Sequence, residues 1–202
     1  MYPALVLALS YLVGAVPFAN LFSRSIGGVD LRAFGSKTVS GSSLFKVAGF
    51  WPMAGAGVLD VAKGAFGPVI AGPGSHPTLG ALAAGAAVVG HNWSPFLKGA
   101  GGRGVGASLG ATAVLAWPGT VILAIGLASG KIAGQTGLGC FVAQALLTPL
   151  LGAVRGPSAA LLGAVLVGPM LAKRVVGNER PKEPSPRTYI NRLVFDTEAP
   201  AT

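Results

Sequence analysis

The chain has 202 residues, of which 51% are hydrophobic and only 10% charged, where soluble domains carry roughly 25% charged residues. A mean hydropathy of +0.65 and long uncharged runs exclude an ordinary soluble domain and point to a polytopic membrane protein. The net charge of +9 would raise nucleic acid as a partner in a soluble chain. Here the cations fall in loops and near the C-terminal end, so lipid headgroups or an anionic substrate are expected and nucleic acid is not.

The first apolar run, 2–22, has no basic region ahead of it and ends in PFANLFSR, not in a small-residue cleavage site; it reads as a retained span. The loop 23–49 carries Arg24, Arg32, Lys37 and Lys46 against Asp30, which places it in the cytoplasm and the N-terminus outside. Runs at 50–72 and 78–90 return the 91–103 loop, with Lys98 and Arg103, to the same side. The run 104–130 is expected to break at Trp117-Pro118, since proline removes a backbone donor and clashes with the preceding turn. Runs at 134–153 and 157–172 follow. Arg155 is then the only cation in an outside loop, and the tail from about 173 lies inside with Lys173, Arg174, Arg180, Lys182, Arg187 and Arg192. Several segments are short and need tilting, local thinning or shelter among other helices. The stretch 177–188 is Pro-rich, polar and expected to be irregular. The expected architecture is all-α: one membrane-embedded domain over 1–202, with about seven transmembrane or partly spanning helices and a cytoplasmic tail.

Three polar clusters share the predicted inner side. Val29–Lys46 supplies Arg32, Lys37, Lys46 and five hydroxyl residues; Arg187–Glu198 lies in the tail; FLKGAGGRGVG occupies 96–106. In that loop, glycines allow backbone N–H groups to form an anion nest ahead of a helix starting near Gly104, with Arg103 as a forked donor. A flexible turn with snorkelling cations gives the same pattern, and no Walker A sequence is present. Asp60 and Lys63 share a helix face inside an apolar run, either as a self-neutralising pair or bordering a polar site. His91 stands at the end of a span, without metal-ligand spacing around it and without a GxSxG or triad partner. The lone cysteine, Cys140, rules out an intrachain disulfide and reads as a small buried hydrophobe. No metal and no cofactor are expected.

Taken together, four stretches resemble the bacterial acyl-phosphate:glycerol-3-phosphate acyltransferases of the PlsY type. GAVPFANLFSRSIGGVDLRAFGS is similar to an opening span followed by G-x-D-[IL]-R-x-x-G-S. LDVAKG is similar to D-x-x-K-G, GHNWSPFLKGAGGRGVGASLG to G-H-x-x-x-x-F-L-x-F-x-G-G-K-G-V-A-T, and INRLVFDTE to I-x-R-L-x-x-G-x-E. The resemblance implies a seven-helix bacterial inner-membrane enzyme that moves an acyl group from acyl phosphate to glycerol 3-phosphate, giving lysophosphatidic acid. It implies catalytic roles for Ser36, Lys46 and Arg103. Substrate contacts are implied for Arg32, Gly35, Thr38, Ser43, Asp60, Lys63, His91, Gly101, Gly102, Gly104 and Arg192.

The departures are specific. Two asparagines of the family's first loop are replaced by Thr38 and Ser43, its arginine by Lys46, and its loop lysine by Arg103. A lysine in place of arginine loses the bidentate grip on phosphate. Pro186 and Tyr189 stand where the family has a tail histidine and asparagine. A weak or inactive homologue that binds lipid or phosphate, or one with another acceptor, is therefore the alternative. A small transporter or channel subunit is a third reading, compatible with broken helices and one intramembrane ion pair.

Overall fold

The computed structural model describes residues 2–72 and 74–198, and every regular element among them is helical. Helices α1 (Tyr2–Ala15) and α2 (Phe18–Gly27) form the first crossing. The sequence reads as one run here, but the helix breaks at Val16-Pro17, where proline has no N–H to continue the ladder. The break leaves backbone carbonyls without helical partners. The Ser94 hydroxyl donates to the Ala15 carbonyl at 2.7 Å, and the Lys63 ammonium donates to the Val16 carbonyl at 2.8 Å.

After α2, a short 3-10 turn at Leu31–Ala33 leads to α3 (Gly41–Ala48). Ser40 starts that helix, its hydroxyl accepting the Ser43 N–H at 3.3 Å, which satisfies one of the free donors of the first turn. Leu31, Val39, Leu44 and Leu97 are buried with Ala19 in a small cluster that fastens this loop region to the bundle.

Helices α4 (Phe50–Ala71) and α5 (Pro77–Asn92) form the next hairpin, and α6 (Val105–Leu115) and α7 (Trp117–Ile132) follow the glycine loop. Ala116 separates the last two, and Pro118 falls in the first turn of α7, where its missing N–H is harmless. The break expected at Trp117-Pro118 is therefore present. Helices α8 (Thr136–Arg155) and α9 (Pro157–Val176) complete the bundle. Among the described residues, four segments are long and apolar enough to cross a membrane: Tyr2–Gly27, α4, α8 and α9. Helix α6 rises only about 16 Å, less than the roughly 30 Å hydrocarbon core, and is sheltered among α4, α5, α7 and α9. The fold is thus that of an integral membrane protein, with α1–α2, α4, α5, α6, α7, α8 and α9 as its seven apolar segments.

Close backbone approach shapes the bundle. A Cβ on Gly64 would overlap the Ala107 carbonyl, and one on Gly110 would overlap the Val61 carbonyl, so α4 and α6 cross in direct backbone contact. The main apolar core lies among α5, α6, α7, α8 and α9, with Val88, Ala107, Leu147, Leu166 and Met170 buried in it.

Helix α9 runs on to Val176, so the tail begins later than about 173. Lys173 and Arg174 belong to its last turn and are buried, at 1% and 2% exposure. They are not headgroup-facing tail cations. Residues 177–185 lack regular structure, and α10 (Pro186–Phe195) starts on a Ser185 cap, inside the stretch expected to be irregular. It packs on α8 and α9.

Candidate functional site

The glycine loop is built by its own backbone. The Ser94 carbonyl accepts from Leu97 at 3.1 Å and Gly99 at 2.8 Å, and the Ser94 N–H donates to the Ala100 carbonyl at 3.1 Å. Lys98 and Gly99 take positive φ at the turn, and Lys98 points into the open. The Val39 N–H then donates to the Gly101 carbonyl at 3.2 Å, joining the first loop to the second.

Gly101 and Gly102 serve close approach and do not form the expected anion nest. The Gly101 N–H donates to Asn178 Oδ1 at 3.0 Å, and the Gly102 N–H donates to the His91 carbonyl at 3.1 Å. A Cβ on Gly101 would overlap the Asn92 and His91 carbonyls, and one on Gly102 would overlap His91 Nε2. These amides are committed to packing the loop against the end of α5. Gly104 precedes α6 with φ +78, and no side chain among the described residues caps that helix start.

Arg103 lies at the centre, with a side chain 15% exposed. Its Nε donates to Asp196 Oδ1 at 2.7 Å, Nη1 to the Lys173 carbonyl at 3.1 Å, and Nη2 to the Thr38 hydroxyl at 3.3 Å. Thr38 in turn donates to the Ser36 carbonyl at 3.4 Å. Two consecutive hydrogen bonds therefore tie Arg103 to the Ser36 backbone, and the tail arrives at the same point through Asp196. Ser36 is exposed beside this junction, as is Gly35 with φ +54. Lys46, in the last turn of α3, is exposed and forms no ion pair among the described residues. Ser43 is buried and bonded to Ser40, which makes it part of the α3 start.

Arg32 is not free. It grips Asp30 with Nε at 3.0 and 3.1 Å and Nη2 at 2.6 Å. The guanidinium holds the Asp30 carboxyl down at about 2, so the pair stays formed at neutral pH. Asp60 and Lys63 form the expected pair at 2.8 Å, with His91 Nδ1 3.8 Å from the same carboxylate oxygen. The three line a water-sized cavity with Phe18 and Gly102. Lys63 also lies over the Phe18 ring at 5.6 Å while capping the broken end of α1. In this structure the cluster ties α4, the end of α5 and the broken end of α1 together.

Arg192, expected at a substrate, caps a helix instead. It donates to the carbonyls of Val175, Val176 and Glu179 and pairs with Glu198. Arg174 does the reciprocal service for α10, donating to the Leu193 and Val194 carbonyls at 2.8 and 3.3 Å and to the Gly137 carbonyl at 2.8 Å. Each helix end holds carbonyls without partners, and each arginine supplies them.

Several contributors are not apparent from sequence reasoning. Asn178 bridges the loops through the Lys37 carbonyl at 2.8 Å and both backbone groups of Gly101. Lys173 reaches the Gly99 carbonyl at 3.2 Å and lies 5.2 Å from the Trp93 ring centre. Asp196 pairs with Arg103. The one available signal was the position of Lys173 and Arg174 directly after an uncharged run, where the last turn of a helix favours cations.

A model of the family described as glycerol-3-phosphate acyltransferase matches residues 4–178. The chain belongs to the glycerol-3-phosphate acyltransferase family. Curated relatives of that name include one from Dehalococcoides mccartyi, 39% identical over 58% of this chain and 51% of the relative. Another, from Gluconobacter oxydans, is 33% identical over 80% of this chain and 69% of the relative. The matches span about half to two thirds of the length of the first curated relatives. In fold, the chain is similar to the crystal structure of PlsY (YgiH), an integral membrane glycerol 3-phosphate acyltransferase, in its glycerol 3-phosphate form. That likeness has a TM-score of 0.77 at 20% identity, covering 91% of this chain and 96% of the other. The lysophosphatidic acid form gives 0.71, also at 20% identity, over 89% and 95%.

Proposed function

We propose that this protein transfers a fatty acyl group from acyl phosphate to glycerol 3-phosphate, giving lysophosphatidic acid, within one membrane-embedded domain. The observation that carries the reading is the junction at Arg103, where the glycine loop, the hydroxyl-rich first loop and the tail meet at one end of the bundle. Membership of the acyltransferase family and a solved relative in a glycerol 3-phosphate form support it. In this reading the acceptor hydroxyl attacks the acyl carbonyl, a new ester C–O bond forms, and the carbonyl–oxygen bond to phosphate breaks. The departing phosphate carries the hydroxyl proton, so the protein needs to hold two phosphates in register and not to supply a base. Arg103 and the uncapped start of α6 hold one of them. Lys46, exposed on α3, meets the second, and exposed Ser36 donates a hydrogen bond beside the reacting centre. Thr38 orients Arg103, while Gly35 and Gly104 supply left-handed turns. Arg32, Ser43, Asp60, Lys63, His91, Gly101, Gly102 and Arg192 act by shaping the loops.

The same reading puts the protein in the bacterial inner membrane, with the junction and the C-terminal tail in the cytoplasm and the acyl chain between spans. Purified protein given an acyl phosphate and glycerol 3-phosphate is expected to form lysophosphatidate and free phosphate in equal amounts. Absence of lysophosphatidate above an empty-membrane control would leave a phosphate- or lipid-binding homologue as the better account, in line with Pro186 and Tyr189 in the tail.

A further inference from the structure

The Asp196 carboxylate is paired with Arg103, the group assigned above to a substrate phosphate. It takes the Nε donor at 2.7 Å, while the other two contacts of the guanidinium go to neutral oxygens, the Lys173 carbonyl and the Thr38 hydroxyl. Asp196 is thus the anion bound at Arg103 among the described residues. It reaches there from an unusual backbone position: φ +56 and ψ +34, the left-handed region that suits glycine and that aspartate tolerates. The pair is only partly buried, with Arg103 15% and Asp196 24% exposed, so solvent and solutes can compete for it. Moving the carboxylate aside does not require undocking the helix. Arg174 and Arg192 hold α10 through backbone carbonyls, whichever way Asp196 points.

We propose that Asp196 is an internal competitor for the phosphate group at Arg103, displaced when a phosphate monoester binds, and that it sets the affinity of the site. This rests on the phosphate-site reading above. A carboxylate and a phosphate compete for the same planar fork, and the Nε donor that Asp196 holds is half of an edge that a phosphate takes bidentately. With Asp196 in place, only the remaining Nη protons are open, and an arriving dianion must break a charge-assisted hydrogen bond before it makes its own.

Equilibrium binding of radiolabelled glycerol 3-phosphate to the full chain in lipid nanodiscs, with inorganic phosphate as competitor, tests this without turnover. Asp196→Asn keeps the side-chain shape, and Asp196→Gly suits the left-handed backbone, so both keep the fold; thermal melts check it. Both variants are expected to bind at least ~10-fold tighter than the natural chain, since one charge-assisted hydrogen bond no longer has to be broken. Adding Arg103→Ala to either is expected to cancel the gain. Unchanged or weaker binding in both variants overturns the proposal and makes Asp196 a positioning residue. Tightening that survives Arg103→Ala also overturns it, because the competition would then not be at Arg103. Tighter binding without lysophosphatidate formation keeps the competitor and rejects acyl transfer. Lysophosphatidate formation with no tightening does the reverse.

Discussion

Replacing Arg103 by alanine removes three donors from the junction and leaves Asp196 without its partner. Hydrogen bonds involving a charged group are worth roughly 1.5–3 kcal/mol each. Arg103→Ala is therefore expected to weaken phosphate-dependent binding or turnover at least ~10-fold, and Arg103→Lys to recover part of that by restoring the charge. Lys98 sits earlier in the same loop, exposed on a positive-φ turn, where it suits lipid headgroups. Lys98→Ala is expected to change either quantity by no more than ~5-fold, in keeping with the roughly 1 kcal/mol of a headgroup-facing cation. The check is the donor and acceptor concentration dependence of each variant at equal membrane abundance. A silent Arg103→Ala beside a damaging Lys98→Ala would reassign the loop as a surface anchor.

At the scale of elements, the exchange of arginines between α9 and α10 governs how the tail is held. Arg174 is buried and fastens the end of α10 to the start of α8, while Arg192 closes the end of α9. Removing Arg174 strands carbonyls of Leu193, Val194 and Gly137, so Arg174→Met is expected to loosen α10 by about 2 kcal/mol. Hydrogen exchange in 186–195 should then rise about 30-fold, with the α4–α6 crossing unaffected. Equal loosening everywhere would mean that Arg174 supports the whole bundle. The sequence reads both arginines as basic tail residues. Their burial follows from α9 extending past the apolar run and from α10 folding back onto it, and neither fact is present in the local composition.

For the whole molecule, charge placement predicts an outside N-terminus and an inside C-terminus. A cysteine placed at Thr202, which lies outside the described residues, is expected to stay unreactive toward an impermeant reagent in intact cells and to react once they are opened. Labelling in intact cells would invert the topology and carry the Arg103 junction to the other face.

Hydropathy determined the helical membrane class, and proline placement the break near Pro118, because each depends on whether a stretch can satisfy its backbone in lipid. The motif spacing also marked Asp60 and Lys63 as a pair, since residues three apart on a helix meet whatever surrounds them. Partners far apart in sequence were decided only by tertiary structure. Arg103 meets Asp196 across 93 positions and Thr38 across 65, and Asn178 joins loops 141 and 77 positions away. Gly101 and Gly102 give the same lesson: glycine in a loop can free an amide for an anion or let two backbones touch, and only the presence of His91 and Asn92 against them selects the second. A side chain's charge is fixed by its own chemistry, but what neutralises it depends on which distant segment the packing brings within about 3 Å.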